Sequence, residues 1–340
     1  MKITATVPTR IDLAGGTLDV YPLYLFEGGG LTVNAAIDVQ ARASVATRDD
    51  ARITIRSEDQ ALHEEIASLA ALEPGGPLDL VKRALLYYRP EVGLDIVVSS
   101  QAPKGSGLGA SSALLMALSN CLNTITGKGL DSRQIIDTGA NIEAQVIGIP
   151  TGKQDYFPPI YGGVCAMWFD VDGWTVESLS QGGAPEGSAL IDGLNERLIV
   201  SYTGIPHFSS ITNWAMLKRY IEKEGDSVAR MAEIKAIAQA MRDCLARRDF
   251  DTLPKLLDAE WKLRRGLAEG VTTPKIDAIM AAAAQAGASA SKICGAGGGG
   301  CMITLAEPDR VPAVRAAIAA HDAVIMPARV VAQGLVLEQE

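Results

Sequence analysis

One stretch limits what this chain can fold into more than any other: Pro103-Lys104-Gly105-Ser106-Gly107-Leu108-Gly109-Ala110-Ser111-Ser112. An apolar run that reads as a strand precedes it (residues 94–99), and an apolar helical run follows (residues 113–125). Glycines at alternate positions allow a tight backbone path and keep side chains out of the way of a ligand. The two serines fall at the start of the helix, where they can cap it or present hydroxyls. A helix start carries free N–H groups and a partial positive charge. The segment therefore predicts an anion site, with a nucleotide triphosphate as the ligand. A strand-to-helix turn that binds nothing accounts for the glycines alone equally well.

Ordinary nucleotide signatures do not fit. A Walker loop needs four residues between its glycines and then Gly-Lys with a hydroxyl residue, whereas Gly152-Lys153 is followed by Gln154. A second glycine run, residues 295–300, matches the dinucleotide pattern on paper. It is followed by Cys301-Met302-Ile303-Thr304-Leu305, a strand-like run, and a Rossmann loop must open a helix.

At 340 residues the chain is long enough for two domains. Its formal charge of −9 argues against a broad nucleic-acid or membrane surface, so phosphates must be met by local positive potential or a metal. No apolar run approaches bilayer length, and the first residues read as a strand rather than a signal-peptide core. Five scattered cysteines without a CxxC pair predict no disulfide framework and fit a reducing, cytoplasmic setting. Cys294 and Cys301 read as small buried residues. His63, His207 and His321 lie too far apart to predict a zinc site.

Along the chain, residues 3–7 predict an edge or half-buried strand, residues 28–30 a turn, and residues 31–37 and 38–47 two strands. Residues 50–55 resemble a hairpin partner. Helices are predicted over 78–88 and 133–147, the second capped by Ser132 and carrying Glu143. Residues 148–155 form a loop, 162–169 and 174–179 a strand pair, and the Gly/Pro/Ser-rich 180–188 a linker. A second domain then opens with a strand at 198–203. Helices follow over 209–224, 227–246, 250–268 and 274–286, then strands at 288–293 and 301–305, a helix at 311–320 and a last strand at 328–337. The mixture does not repeat as βαβα units, which agrees with an α+β class, and the chain is divided as 1–185 and 186–340.

Three segments in this order resemble the GHMP family of small-molecule kinases. They are Pro8-Thr9-Arg10-Ile11-Asp12-Leu13-Ala14-Gly15-Gly16-Thr17-Leu18-Asp19, the loop at 103–112 (family pattern P-x-x-x-G-L-G-S-S-A), and Lys292-Ile293-Cys294-Gly295-Ala296-Gly297-Gly298-Gly299-Gly300. The first segment is similar to that of sugar kinases acting on an anomeric hydroxyl, of the heptose 7-phosphate, fucose and galactose type. Phe26-Glu27-Gly28-Gly29-Gly30, Asn34-Ala35-Ala36-Ile37 and Gly152-Lys153-Gln154-Asp155 extend that likeness. Two departures stand out. Thr17-Leu18 replaces a usual Trp-Thr or Trp-Ser, which weakens any claim about which sugar. Ala110 replaces a usual Ser or Thr, where backbone N–H groups do the binding.

The resemblance implies a two-domain GHMP kinase fold, with an N-terminal ribosomal S5 domain 2-like part and a C-terminal ferredoxin-like part. It implies ATP and Mg²⁺ as cofactors. Residues Lys104, Gly105, Ser106, Gly107, Leu108, Gly109, Ala110, Ser111 and Ser112 would hold the phosphates, and Ser111 with Glu143 the metal. Asp155 would act as base, with Arg10 keeping it ionised. Arg10, Gly16, Thr17, Asp19, Gly152, Asp155, Gly297 and Gly298 would meet the substrate, a sugar or sugar phosphate. Lys153 and His207 are candidate contacts to an anionic substrate group, with solvent exposure the preferred reading for His207. No nucleic-acid or membrane partner is implied, and the protein would be a monomer or homodimer. A kinase of a non-sugar alcohol such as mevalonate, and a non-catalytic sensor derived from a kinase, stand as alternatives.

Overall fold

The computed structural model describes residues 1–180, 184–207 and 209–340. In chain order its strands and helices are β1 (Lys2–Ala14), α1 (Leu23–Phe26), β2 (Gly30–Thr47), β3 (Ile53–Ser57), β4 (Leu62–Ile66), α2 (Asp79–Tyr88), β5 (Leu94–Ser100), α3 (Ala110–Thr126), α4 (Ser132–Ile147), α5 (Phe157–Tyr161), β6 (Val164–Asp170) and β7 (Gly173–Ser178). The second half holds α6 (Ala184–Arg197), β8 (Leu198–Tyr202), α7 (Ser209–Ile221), α8 (Ser227–Ala246), α9 (Leu253–Arg264), α10 (Pro274–Gln285), β9 (Ala288–Ile293), β10 (Cys301–Ala306), α11 (Val311–Ala319), β11 (Val324–Met326) and β12 (Val336–Gln339). No helix among them is long and apolar enough to cross a membrane. The five cysteines are free and buried.

Two sheets organise these elements. The larger runs β12-β1-β2-β5-β3-β4, with β6 and β7 branching from β2; the smaller is β11-β8-β10-β9. The branch arises because β2 is long. Its second half pairs with β5 from Ala41 to Thr47, and its first half with β6 from Gly30 to Ala35. Helix α3 lies across β1 and β2, and its buried Leu115, Met116, Leu118 and Leu122 share a core with Ile3, Val7, Val45 and Ile96. Left-handed Gly127 closes α3, as a residue without Cβ permits.

Several expectations change at the level of pairing. Residues 3–7 belong to a 13-residue strand flanked by β2 and β12, so they are neither edge nor half-buried. The two expected strands at 31–37 and 38–47 are one. The segment at 50–55 is not a hairpin partner of β2. It forms β3, parallel to β5 and antiparallel to β4, because β5, with Leu94, Ile96 and Val98 buried, takes the place beside β2. Asp131, not Ser132, caps α4, in a reciprocal box with Gln134. Part of the expected linker, residues 181–183, lies outside the described residues; from Ala184 the chain is helical. The expected strand at 328–337 is largely irregular. Val330 makes a single bridge to Ile37, and only Val336–Gln339 pair, with β1. The last segment thus returns to the larger sheet.

Candidate active site

The glycine stretch sits between β5 and α3, at the junction of the two sheets. Four successive carbonyls of the loop are bonded outward. Gly105 O accepts from His207 N–H (3.1 Å), Ser106 O from Cys301 N–H (2.6 Å), Gly107 O from Arg10 Nη1 (2.5 Å) and Leu108 O from Arg10 N–H (3.1 Å). The amides of Gly107, Gly109, Ala110, Ser111 and Ser112 have no backbone acceptor among the described residues. Such a row of free N–H groups at a helix start is an anion-binding concavity. The glycines at 107 and 109 are required twice over. Both are left-handed, and a Cβ would stand 2.7 Å from Cys294 O at Gly107 and 3.1 Å from Asp155 Cγ at Gly109. Ser111 and Ser112 do not cap the helix; Gly109 occupies that position.

Both serine hydroxyls instead donate to Glu143 on α4, Ser111 to Oε1 and Ser112 to Oε2 (2.6 Å), and the Tyr156 hydroxyl also donates to Oε2. Glu143 is 8 % exposed. It is therefore no solvent-facing carboxylate, but one held at the mouth of the loop. Burial pushes the Tyr156 phenol well above its ordinary pKa, and the neighbouring Glu143 charge adds to this. Tyr156 thus stays a hydroxyl donor.

Asp155 enters from the turn before α5. Its Oδ1 accepts from Arg10 Nε (2.8 Å) and Nη2 (2.5 Å), which leaves Oδ2 without a hydrogen bond among the described residues. Arg10 is buried on β1. Burial opposes its charge, but Asp155 and Asp12 outweigh this and its pKa is raised. Asp19 is 1 % exposed. Its Oδ2 accepts from Gln154 N–H (2.8 Å), while Oδ1 has no partner among the described residues. Burial, reinforced by the Asp155 charge, pushes its carboxyl up to about 6. Gly152 makes the approach possible, since a Cβ there would lie 2.0 Å from Asp19 Oδ2.

A single cavity of about 430 Å³ unites these groups. Arg10, Thr17, Asp19, Gly152, Asp155, Glu143 and the loop residues at 104–107 and 109–112 line it; Leu108 is buried behind. From the second glycine run, Gly295 and Ala296 line it. Gly297 and Gly298 pack against Val271 and His207 instead. Gly16 lies behind the wall, its carbonyl accepting from Arg264 (2.8 Å). His207 is half-buried, lines the cavity and bonds Thr212 (2.9 Å), so it is not a solvated side chain. Lys153 is committed to Asp137 (2.5 Å) and does not line it.

Sequence reasoning missed the apolar end of the cavity, formed by Leu78, Val81, Val98, Leu114, Val146 and Ile147, and the polar residues Gln154 and Asn213. It also missed a fully buried chain of charges beneath the site. Lys292 pairs with Asp12 and lies 3.7 Å from Glu260, which binds Arg264 (2.7 Å); Arg264 reaches Gly16 O and Thr17. Burial alone would raise the pKa of Asp12, but Lys292, Arg10 and Arg264 hold it below the usual range. Gly295 N–H also donates to Asp12 (2.7 Å), tying the second glycine run to β1. A Glu at 260 four residues before an Arg reads in sequence as a surface pair, so no local signal announced this network.

Known proteins align with both halves of this arrangement. The GHMP kinases N terminal domain family matches residues 79–163, and the GHMP kinases C terminal family residues 241–323. The D-glycero-alpha-D-manno-heptose 7-phosphate kinase of Campylobacter jejuni is 27% identical over 314 residues, 91% of this chain and 90% of its own. The mevalonate kinase of Pyrococcus horikoshii is also 27% identical, over 354 residues, 99% of this chain and 98% of its own. Among solved structures, a D-glycero-D-manno-heptose 1-phosphate kinase from Bacteroides thetaiotaomicron superposes with a TM-score of 0.79 over 99% of both chains, at 24% identity. With the two family halves matched in order, on either side of one cavity, the chain belongs to the GHMP kinase family.

Proposed function

We propose that this chain is an ATP-dependent kinase that transfers the γ-phosphoryl group to the anomeric (C1) hydroxyl of a sugar or sugar phosphate. The observation that carries the reading is the juxtaposition, in one cavity, of a row of unbonded amides and the free oxygen of Asp155. The amides of the loop and the first turn of α3 bind the β- and γ-phosphates. The apolar end of the cavity takes the base. Asp155 Oδ2 accepts the proton of the acceptor hydroxyl, while Arg10 fixes the carboxylate through Oδ1. A hemiacetal hydroxyl is more acidic than an ordinary alcohol, which suits a carboxylate base.

Glu143 and Ser111 fit Mg²⁺, a hard ion that takes one or two protein oxygens and otherwise phosphates and water. Their hydroxyl–carboxylate contact places both oxygens beside the loop. When bound, the ion neutralises phosphate charge. Tyr156 and Ser112 hold Glu143 in place from behind.

A kinase of mevalonate is the second reading, favoured by the equal identity of the Pyrococcus relative. ADP release with hexoses, heptose 7-phosphates, uronic acids and mevalonate, with products assigned by phosphorus NMR, tests the proposal. A product phosphorylated at C1 is expected. Phosphorylation of mevalonate alone, or none despite nucleotide binding, overturns it.

A further inference from the structure

The acceptor half of the cavity has a chemistry of its own, which narrows the substrate of the proposed kinase and rests on that kinase reading. Two buried acceptor atoms there have no partner among the described residues: Asp19 Oδ1 and Gln154 Oε1, both on residues that line the cavity. A buried acceptor left unpaired costs free energy that a bound ligand can recover by donating a hydrogen. A sugar hydroxyl donates. A phosphate dianion or a carboxylate offers lone pairs alone.

The positive charges around this half are all committed. Arg10 is spent on Asp155 and Gly107 O. Arg264 is spent on Glu260 and Gly16 O, Lys292 on Asp12 and Lys153 on Asp137. Burial disfavours the charged form of His207, and its ring bonds Thr212. Among the described residues Lys104 is the one further cation lining the cavity, and it stands on the loop whose amides face the nucleotide phosphates. The remaining polar groups on this side, Thr17 and Asn213, are neutral. An anionic substituent entering here would meet two carboxylates with no cation to answer it, and a charge taken from water without a partner is costly.

We infer that the acceptor is an uncharged sugar that donates a hydroxyl hydrogen bond to Asp19, and that sugar phosphates, uronic acids and mevalonate are poor acceptors. The same feature explains how a scaffold shared with kinases of charged acceptors can select a neutral one. The selection comes from Asp19 and from the commitment of the cations beside it, not from pocket volume.

The test uses the full-length enzyme with MgATP and matched pairs: free aldohexoses and heptoses, each against the same sugar phosphorylated at its terminal carbon, with mevalonate alongside. Free sugars are expected to exceed their phosphorylated counterparts in kcat/KM by at least about 100-fold. A phosphorylated sugar or mevalonate with the higher kcat/KM overturns the inference and leaves the enzyme a kinase. If no acceptor is turned over, the kinase reading itself fails. The inference is then judged by calorimetry on the protein saturated with a non-hydrolysable ATP analogue, where binding of the phosphorylated sugar in preference to the free one overturns it. Asp19→Asn supplies the residue-level arm. It should raise KM for the free sugar about tenfold or more and narrow the gap to the phosphorylated sugar. An unchanged gap overturns the role given to Asp19.

Discussion

Arg10 and Asp155 stand 145 positions apart in sequence and meet on one oxygen, with Nε and Nη2 of the guanidinium both donating to Oδ1. The other oxygen is thereby left to the cavity. Replacing Asp155 by Asn removes the proposed proton acceptor with little change in shape. The expected result is a fall in kcat on the order of 10²–10⁴-fold with nucleotide affinity within about twofold of wild type, read by steady-state kinetics and by titration with an ATP analogue. A variant that keeps its rate would remove Asp155 from the role of base.

Arg10→Lys tests the fork. A lysine cannot place two donors on Oδ1 and a third on Gly107 O. Activity should drop by about tenfold or more while the melting temperature falls only slightly. A lysine variant at full rate would show that a single positive charge is enough.

Asp19 gives a prediction about pH. Its carboxyl is raised to about 6 from an ordinary 3.8, chiefly by burial. A carboxyl raised in this way favours the fold while it is protonated. Its contribution is full below the ordinary value and is lost as pH rises through about 6. Asp19→Asn should therefore match wild type in stability near pH 4 and exceed it by on the order of 3 kcal/mol at pH 8, even as activity falls. Denaturant melts across this range check it, and a gain independent of pH would remove the electrostatic cause.

The buried chain Asp12–Lys292–Glu260–Arg264 links β1 to β9 and α9. Lys292→Met leaves Asp12 without its paired cation, while Glu260 keeps Arg264. It should cost about 3–5 kcal/mol, the usual penalty for removing one partner of a buried pair. Adding Asp12→Asn should restore part of this loss. Thermal melts of the single and double variants decide it, and an additive loss would show the two residues to be uncoupled.

Gly109→Ala places a Cβ 3.1 Å from Asp155 Cγ at a left-handed φ of +71°. Strain of roughly 1–2 kcal/mol is expected, with displacement of the Asp155 carboxylate. Turnover should fall more than stability. Equal activity would show that Asp155 tolerates movement.

Local signals were legible in the sequence. Helix α8 and strand β9 run where periodicity and turn residues put them, and the loop at 103–112 joins a strand to a helix as its glycines require. Pairing was not legible. Nothing in residues 53–57 says that β5 rather than β2 lies alongside, and the bond between β12 and β1 spans almost the whole chain. The cap of α4 was misplaced by one residue, because Asp131 and Ser132 are both good capping types. At the site, the glycine loop declared itself through spacing, whereas Arg10, Asp19, Glu143 and Asp155 entered by resemblance. Buried Lys292, Glu260 and Arg264 carry side chains that usually face water, so only three dimensions show them inside.

The unbroken run of β2 through 18 residues fixes how the enzyme can move. Its one face of hydrogen bonds carries β1, which bears Arg10, along nearly its full length; its other carries β5, which leads into the glycine loop. The guanidinium and the loop are thus mounted on a common stiff girder, with their spacing set when the sheet forms. Any clamping on a substrate must then come from elements outside this sheet, such as α7, which brings Asn213 to the cavity, and amide exchange should be slow at Ala41–Thr47 whether or not ligands are bound.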